Sequence, residues 1–246
     1  MKKVFWSFGT ESFERDNIHP PAVAPLIAAD YYPYISLVKD INNVRKGETF
    51  LKCPANGDFL KNTYAFLAPF DLTIELEINS IEDTRIYCEN INQDVFNKLI
   101  DIRFLQQNDK GKSPYPLIGI DWLNTFTSKT PMLLQLLPAF LHYNDFTSKA
   151  TVIPGQYDIS KWTRPVELVF EVKNSKERIV IKKGDVIAYF KFYCDEPIKL
   201  IEQPIPWDET ITCTELRNAT PFRPLKDRYD ALDKVRKNQC PYDTSD

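Results

Sequence analysis

The segment from Glu167 to Tyr193 constrains the fold of this chain more than any other. It contains three short apolar runs, and the last two are separated by the tight turn Lys182-Lys183-Gly184-Asp185. Connections of this length predict hairpins between antiparallel strands, and no helical period lies between the runs. The segment therefore predicts a mainly β fold, either an antiparallel sandwich or a distorted barrel.

Runs upstream of this segment carry the same signal. From Leu72 to Ile78 the apolar residues alternate with polar ones, which is the signature of a half-buried strand. Met132 to Leu137 is bracketed by two prolines at strand length rather than helix length. We also expect a strand over Thr49 to Pro54, followed by a turn over Ala55 to Asp58.

The two ends of the chain differ from this β-rich centre. Residues 1–46 contain four prolines and a tyrosine cluster, which predicts an extended arm packed by its aromatic side chains. Residues 201–246 begin as a proline-containing linker and end in a helical pattern. We therefore expect an arm over 1–46, a β-rich domain over 47–200, and a linker with a C-terminal helix over 201–246.

The C-terminal pattern predicts an amphipathic helix from about Pro224 to Asn238, because its apolar residues recur at helical spacing. The apolar stripe of this helix has to be covered, either by the sheet or by a partner chain. Together with the aromatic arm and one tryptophan, it supplies the predicted interaction residues, which are Tyr31, Tyr32, Tyr34, Trp162, Leu225, Tyr229 and Leu232.

Composition excludes several classes of protein. The 31 Lys and Arg residues against 34 Asp and Glu give a net charge of −3, which does not support sequence-independent binding to nucleic acid. No apolar run is long enough to span a membrane, and the first residues do not form a signal peptide, so we expect no membrane association. The five scattered cysteines are expected to be free thiols in a reducing compartment.

Two histidines restrict the chemistry that this chain can perform. His142 lies three residues before Asp145, and His19 is far away in the proline-rich arm. An iron site with two histidines and one carboxylate would need both of them, so we expect no metal and no cofactor. A cysteine nucleophile paired with either histidine has no local sequence support.

Acidic and basic residues supply three further candidates. Asp158 follows a Pro-Gly turn and precedes a strand, where its carboxylate either projects into a cleft or caps its own turn. Glu75 and Glu77 share a strand face, which suits acid–base work or a solvated surface. A basic and aromatic set could stack the bases of a single strand, although interleaved acids weaken its field; its members are Lys161, Trp162, Arg164, Lys182, Lys183 and Lys191.

The stretch Lys52-Cys53-Pro54-Ala55, with Lys61-Asn62-Thr63-Tyr64 and Pro69-Phe70-Asp71-Leu72 after it, resembles an uncharacterised protein family of tailed phages, especially marine ones. The likeness extends from about Tyr32 to Tyr193. It implies a viral origin, a location in the virion or the host cytoplasm, and partners among copies of the chain or other phage proteins.

A second likeness lies between Gly155 and Phe192. Ile181-Lys182-Lys183-Gly184-Asp185-Val186-Ile187-Ala188 is similar to the late motif that closes the β-barrel of dUTPases and dCTP deaminases. The likeness implies catalytic roles for Asp71, at the first motif, and for Asp158, as the acid that orients the attacking water. The phosphate-binding Arg-Ser pair of that superfamily is replaced by apolar residues near Met132 to Phe140, which argues against nucleotide hydrolysis.

The sequence thus favours a non-enzymatic, phage-encoded structural or interaction protein that associates with itself or with virion components. A nucleotide-related enzyme or ligand-binding protein that uses Asp71 and Asp158 is the alternative. A binder of single-stranded nucleic acid is the third hypothesis.

Overall fold

The computed structural model describes most of the predicted β region and short segments at both ends. The described residues are 1–8, 30–33, 54–79, 83–103, 117–120, 124–161, 163, 166–203 and 224–236. Tyr34, Trp162 and most of the strand expected before Pro54 lie outside them.

Strands dominate this part of the chain. In chain order they are β1 (Lys2–Phe8), β2 (Asp30–Pro33), β3 (Thr63–Leu67), β4 (Leu72–Ile78), β5 (Thr84–Cys88), β6 (Ile100–Arg103), β7 (Leu117–Ile120), β8 (Asn124–Thr127), β9 (Leu133–Pro138), β10 (Ala150–Val152), β11 (Gly155–Asp158), β12 (Leu168–Val172), β13 (Lys176–Ile181), β14 (Val186–Tyr193) and β15 (Ile198–Glu202). The helices are α1 (Pro54–Leu60), α2 (Gln93–Leu99), α3 (Asp145–Lys149) and α4 (Leu225–Arg236). The prediction of a mainly β fold with a C-terminal helix is confirmed.

The described strands form four sheets, with the orders β15-β1-β8, β10-β12-β7-β6, β11-β9-β14-β3-β2 and β13-β4-β5. Within the described residues, β1 with β15 is the parallel pair, and the other pairs are antiparallel. Apolar side chains from all four sheets meet in one buried cluster. The arrangement is consistent with a β sandwich, and the described strands do not close into a barrel.

The turn at Lys182–Asp185 carries the chain from one sheet into another. β13 pairs with β4, whereas β14 pairs with β3 and β9, so these consecutive strands are not hairpin partners. The connection from β3 to β4 bends at the same corner, where the Ala68 N–H donates to the Asp185 carbonyl over 2.8 Å. Gly184 has a φ of +87°, which a residue with a side chain adopts only at a cost. The expectation of hairpins in this segment is therefore wrong.

The first strand belongs to the β domain, although the sequence suggested a separate arm over residues 1–46. β1 lies between β15 and β8, and its Val4 is fully buried in the common core. The short strand β2 adds an edge to the five-stranded sheet. A short apolar run near one end of a chain does not show which distant strand it will pair with, so the pairing of β1 with β15 and β8 is visible only in the structure.

A helix, α1, occupies the place where the sequence suggested a turn. Pro54 is its first residue, a position at which the backbone N–H makes no hydrogen bond within a helix, so proline is well tolerated there. At its other end, the Phe59 carbonyl accepts hydrogen bonds from the Thr63 hydroxyl at 2.8 Å and from the Lys191 ammonium at 2.6 Å. The local Thr63 and the distant Lys191 together satisfy the helix end, so a tertiary contact adds to the local signal that favours a helix over a turn.

Side chains form hydrogen bonds with both edge strands of the sheet β13-β4-β5. At β5, the Gln93 amide accepts from the Cys88 N–H and donates to the Ile86 carbonyl, each at 3.1 Å. At β13, the Asp145 carboxylate accepts from the Val180 N–H at 2.7 Å. Because these backbone groups already have partners, another strand cannot pair with them at these positions.

The C-terminal helix α4 packs against its own chain. Leu232 is only 2% exposed, and the Lys161 ammonium lies 5.7 Å from the centre of the Tyr229 ring. This observation favours the intrachain alternative over a partner chain for the apolar stripe. None of the helices in the described ranges is long and apolar enough to cross a bilayer.

Candidate functional site

The Asp158 carboxylate caps its own turn. Its Oδ1 atom accepts hydrogen bonds from the Ser160 N–H at 3.1 Å and from the Ser160 hydroxyl at 2.6 Å. This is the ordinary way in which an aspartate stabilises a turn after a strand. The geometry assigns Asp158 a structural task at the end of β11.

Asp71 performs a similar task at the sheet corner, where its Oδ1 atom accepts a hydrogen bond from the Lys183 N–H at 2.7 Å. The register places Asp158 opposite Leu133 and Leu133 opposite Tyr193, the last residue of β14. Asp71 contacts the turn before the first residue of β14. At about 3.3 Å per residue, the two acids lie at opposite ends of a strand roughly 23 Å long, so one chain does not bring them together.

Glu75 and Glu77, on the central strand of the sheet β13-β4-β5, form ion pairs with basic side chains. Nζ of Lys176 lies 2.7 Å from Oε1 of Glu77, and Nε of Arg178 lies 3.2 Å from Oε1 of Glu75. The two residues of each pair are directly opposite each other on β13 and β4. The hydrogen bond and charge of Lys176 lower the pKa of Glu77, as expected for an ion-paired surface carboxylate. No group of three or more possible metal-binding side chains occurs in the part of the chain that the structure describes.

The basic residues considered for single-strand binding are dispersed. Lys191 is buried, with its ammonium 4.7 Å from the centre of the Phe59 ring, and this burial lowers its pKa. Lys161 lies against α4, and Lys182 and Lys183 lie at the sheet corner. The described cations therefore do not form a continuous stripe for a phosphate backbone.

The predicted interaction residues have different outcomes. Leu232 and Tyr229 form a small cluster within α4 and its surroundings. For Tyr31, Tyr32 and Leu225 the structure describes only the backbone, as residues of β2 and α4. The surface that the structure adds to this list lies elsewhere, at the end of β9.

We call this surface the 140–143 loop. Tyr143 is 90% exposed, Phe140 is 56% exposed and Leu141 is 49% exposed. Three of the large apolar side chains that are exposed in the described ranges thus fall within four consecutive residues. Clustered apolar exposure of this kind is typical of a binding surface, whereas single exposed residues are ordinary.

The 140–143 loop forms hydrogen bonds with the hydroxyl group of Tyr189. The fully buried Tyr189 places its hydroxyl 2.5 Å from Nδ1 of His142, and the same hydroxyl oxygen accepts from the Leu141 N–H at 3.3 Å. Burial lowers the pKa of His142, which favours the neutral imidazole; in that form Nδ1 either accepts the tyrosine proton or donates to the hydroxyl oxygen, according to the tautomer. Phe140 adds a T-shaped contact with the Tyr189 ring at 5.3 Å.

The end of the loop is fixed by the start of α3. The Asn144 side chain accepts from the Thr147 N–H, and the Thr147 hydroxyl accepts from the Asn144 N–H, which makes a reciprocal cap with both distances at 2.9 Å. The Asn144 amide also donates to the Val186 carbonyl at 2.8 Å. Hydrogen bonds therefore hold the backbone on the C-terminal side of the exposed side chains.

An apolar pocket of about 230 Å³ lies beside this loop. Its walls include Pro138, Ala139, Phe140, Phe146, Val152 and Ile187, and Thr151 also lines it. Phe140 is thus part of both the exposed loop and the pocket wall. In this region the sequence suggested only His142 and Asp145, as possible catalytic groups. Phe140 and Leu141 did not stand out, because an apolar run that follows a strand is usually part of the core.

We expect acid to destabilise the protein through His142. Burial lowers the pKa of this imidazole in the folded state, whereas the unfolded chain titrates near pH 6.5. Below about pH 6.5 the unfolded state therefore binds more protons, and stability falls until the folded pKa is passed. Urea unfolding at pH 7.5 and pH 5 should show a larger loss for the natural chain than for His142→Gln, because carboxylate effects are common to both. Equal losses would contradict this prediction.

Neither the protein-family models nor the curated proteins contain a match.

Proposed function

We propose that this chain is a non-enzymatic, phage-encoded structural protein that associates with copies of itself or with other virion components. The observation that carries the proposal is the 140–143 loop, which exposes Phe140, Leu141 and Tyr143 on a fixed base. Its place of action would be the virion or the host cytoplasm.

The hydrogen bonds that hold the loop support a role in binding. Its backbone is tied to Tyr189 and to the α3 cap by the hydrogen bonds given above. A surface that is already ordered loses little conformational entropy when a partner binds, so more of the contact energy appears as affinity. Exposed aromatic side chains are also the residues that most often dominate binding energy at interfaces.

The tasks of the two candidate acids also support a structural role. Asp71 and Asp158 both stabilise backbone turns, and they lie at opposite ends of β14. The alternative of a nucleotide-related enzyme therefore has no assembled pair of acids within one chain to build on.

Mass photometry and light scattering on the full purified chain test the proposal. We expect association in the micromolar range, and we expect the double variant Leu141→Ser, Tyr143→Ser to reduce it by at least tenfold. Tyr87→Ser is the matched control, since Tyr87 is 49% exposed on β5, in the sheet β13-β4-β5. A strict monomer that is also absent from purified particles of the encoding phage would contradict the proposal.

A further inference from the structure

The apolar pocket beside the 140–143 loop has the size of one side chain. Its volume of about 230 Å³ is below the range of about 300–1,000 Å³ in which drug-sized ligands bind. An apolar cavity of about 150 Å³ already accommodates benzene, so one aromatic ring fits. Thr151 adds a hydroxyl to the lining, where it can meet the polar end of a tyrosine.

We propose that two copies of this chain pair about a twofold axis, each inserting the Tyr143 ring into the apolar pocket of the other. This inference rests on the proposed function, because it names the partner that the 140–143 loop binds. In a twofold interface the same surface faces itself, so a protruding residue and its receptor must lie on one patch. Phe140 provides that continuity, since it borders the pocket and lies three residues from Tyr143.

The exposed area fits a weak, reversible pair. At about 200 Å² per aromatic side chain, the exposed fractions of Tyr143 and Phe140 amount to roughly 300 Å² per copy. Two copies therefore contribute about 600 Å² from four rings, half of the 1,200 Å² or so at which specific interfaces begin. Leu141 and the pocket walls add to this area, and the contact stays in the small-interface range of transient complexes, in keeping with association in the micromolar range.

Sedimentation of two single variants tests the reciprocal insertion. Tyr143→Ser removes the inserted ring, and because Tyr143 is 90% exposed, the variant loses little packing within one chain. Thr151→Trp narrows the pocket from an exposed position on β10. We expect each variant to raise the dimer dissociation constant at least tenfold, while Tyr87→Ser leaves it unchanged. Circular dichroism and thermal melting establish that each variant is folded.

A mixing experiment distinguishes reciprocal insertion from general stickiness. Tyr143→Ser retains an intact pocket, and Thr151→Trp retains an intact ring, so an equimolar mixture can form one complete contact per heterodimer. We expect the mixture to dimerise more tightly than either variant alone.

If the natural chain associates but neither variant weakens it, the insertion is wrong while the proposed function stands. If the natural chain is monomeric to about 100 µM, the insertion is wrong, and the particle experiment alone decides the proposed function.

Discussion

Replacing Asn62 with alanine is expected to lower the free energy of unfolding by about 3 kcal/mol. Asn62 has a φ of +54°, and its side-chain amide donates to the carbonyls of Cys194 and Glu196, each at 2.8 Å. Its side-chain oxygen also accepts from the Ile198 N–H at 3.2 Å. Alanine would lose all three hydrogen bonds and would hold an unfavourable backbone conformation.

Two further variants separate these causes. Asn62→Gly tolerates the positive φ but loses the side-chain bonds, so we expect a loss of about 2 kcal/mol. Asn79→Ala is the matched control, because Asn79 is exposed and makes a single side-chain bond to Asp83; we expect a change within about 0.5 kcal/mol. Urea denaturation measures all three. Equal values for the alanine variants at positions 62 and 79 would show that the connection to β15 does not depend on Asn62.

The sequence predicted which segments form strands much better than how the strands pair. Alternation along Leu72 to Ile78 and the prolines around Met132 to Leu137 identified β4 and β9 nearly to the residue. These signals are local, since they report which side chains face a core. The helical spacing near the C-terminus identified α4 for the same reason.

Pairing depends on contacts that local patterns do not contain. The strands β12, β13 and β14 follow one another closely, yet they belong to three different sheets. The decisive contacts join the Lys183 N–H to Asp71 and the Ala68 N–H to the Asp185 carbonyl, each between segments more than 100 residues apart. The same limitation hid the parallel pairing of β1 with β15.

The residues that carried the family resemblances have clear structural tasks. Asn62 holds the segment that leads into β15, Thr63 caps α1, and Asp71 holds the sheet corner. Gly184 supplies the positive φ of that corner, and the Asp185 carboxylate accepts from the Lys182 N–H at 2.9 Å. A motif made of turn residues therefore reports a way of connecting strands, and the same connection can serve proteins with different activities.

The candidate site was hidden for a related reason. Phe140 and Leu141 extend the apolar run of β9, so the sequence gives them the appearance of core residues. Their exposure follows from the sharp reversal after Pro138, where the Phe140 N–H donates to the Pro138 carbonyl at 2.9 Å. The anchor of this reversal is Tyr189, 47 residues beyond His142 in the chain. Only the folded arrangement shows that this apolar segment faces outward.

The largest effect that we expect is a loss of about 4 kcal/mol in the free energy of unfolding for Phe126→Ala. Phe126 is 1% exposed on β8, and its ring lies 5.2 Å from Phe190 and 5.7 Å from Phe192 on β14. These contacts join the three-stranded sheet that contains β1 to the five-stranded sheet. Removing the ring leaves a cavity between two sheets that cannot close by moving a single side chain.

Phe140→Ala is the matched control, because it removes the same atoms from a position that is 56% exposed. We expect it to cost about 1 kcal/mol or less in stability while weakening self-association. Both variants should unfold in one transition, since the four sheets share one core. Two separate transitions in Phe126→Ala, or a loss below about 2 kcal/mol, would show that the sheets are stabilised independently. The contrast between the two phenylalanines thus tests at once where the core ends and where the binding surface begins.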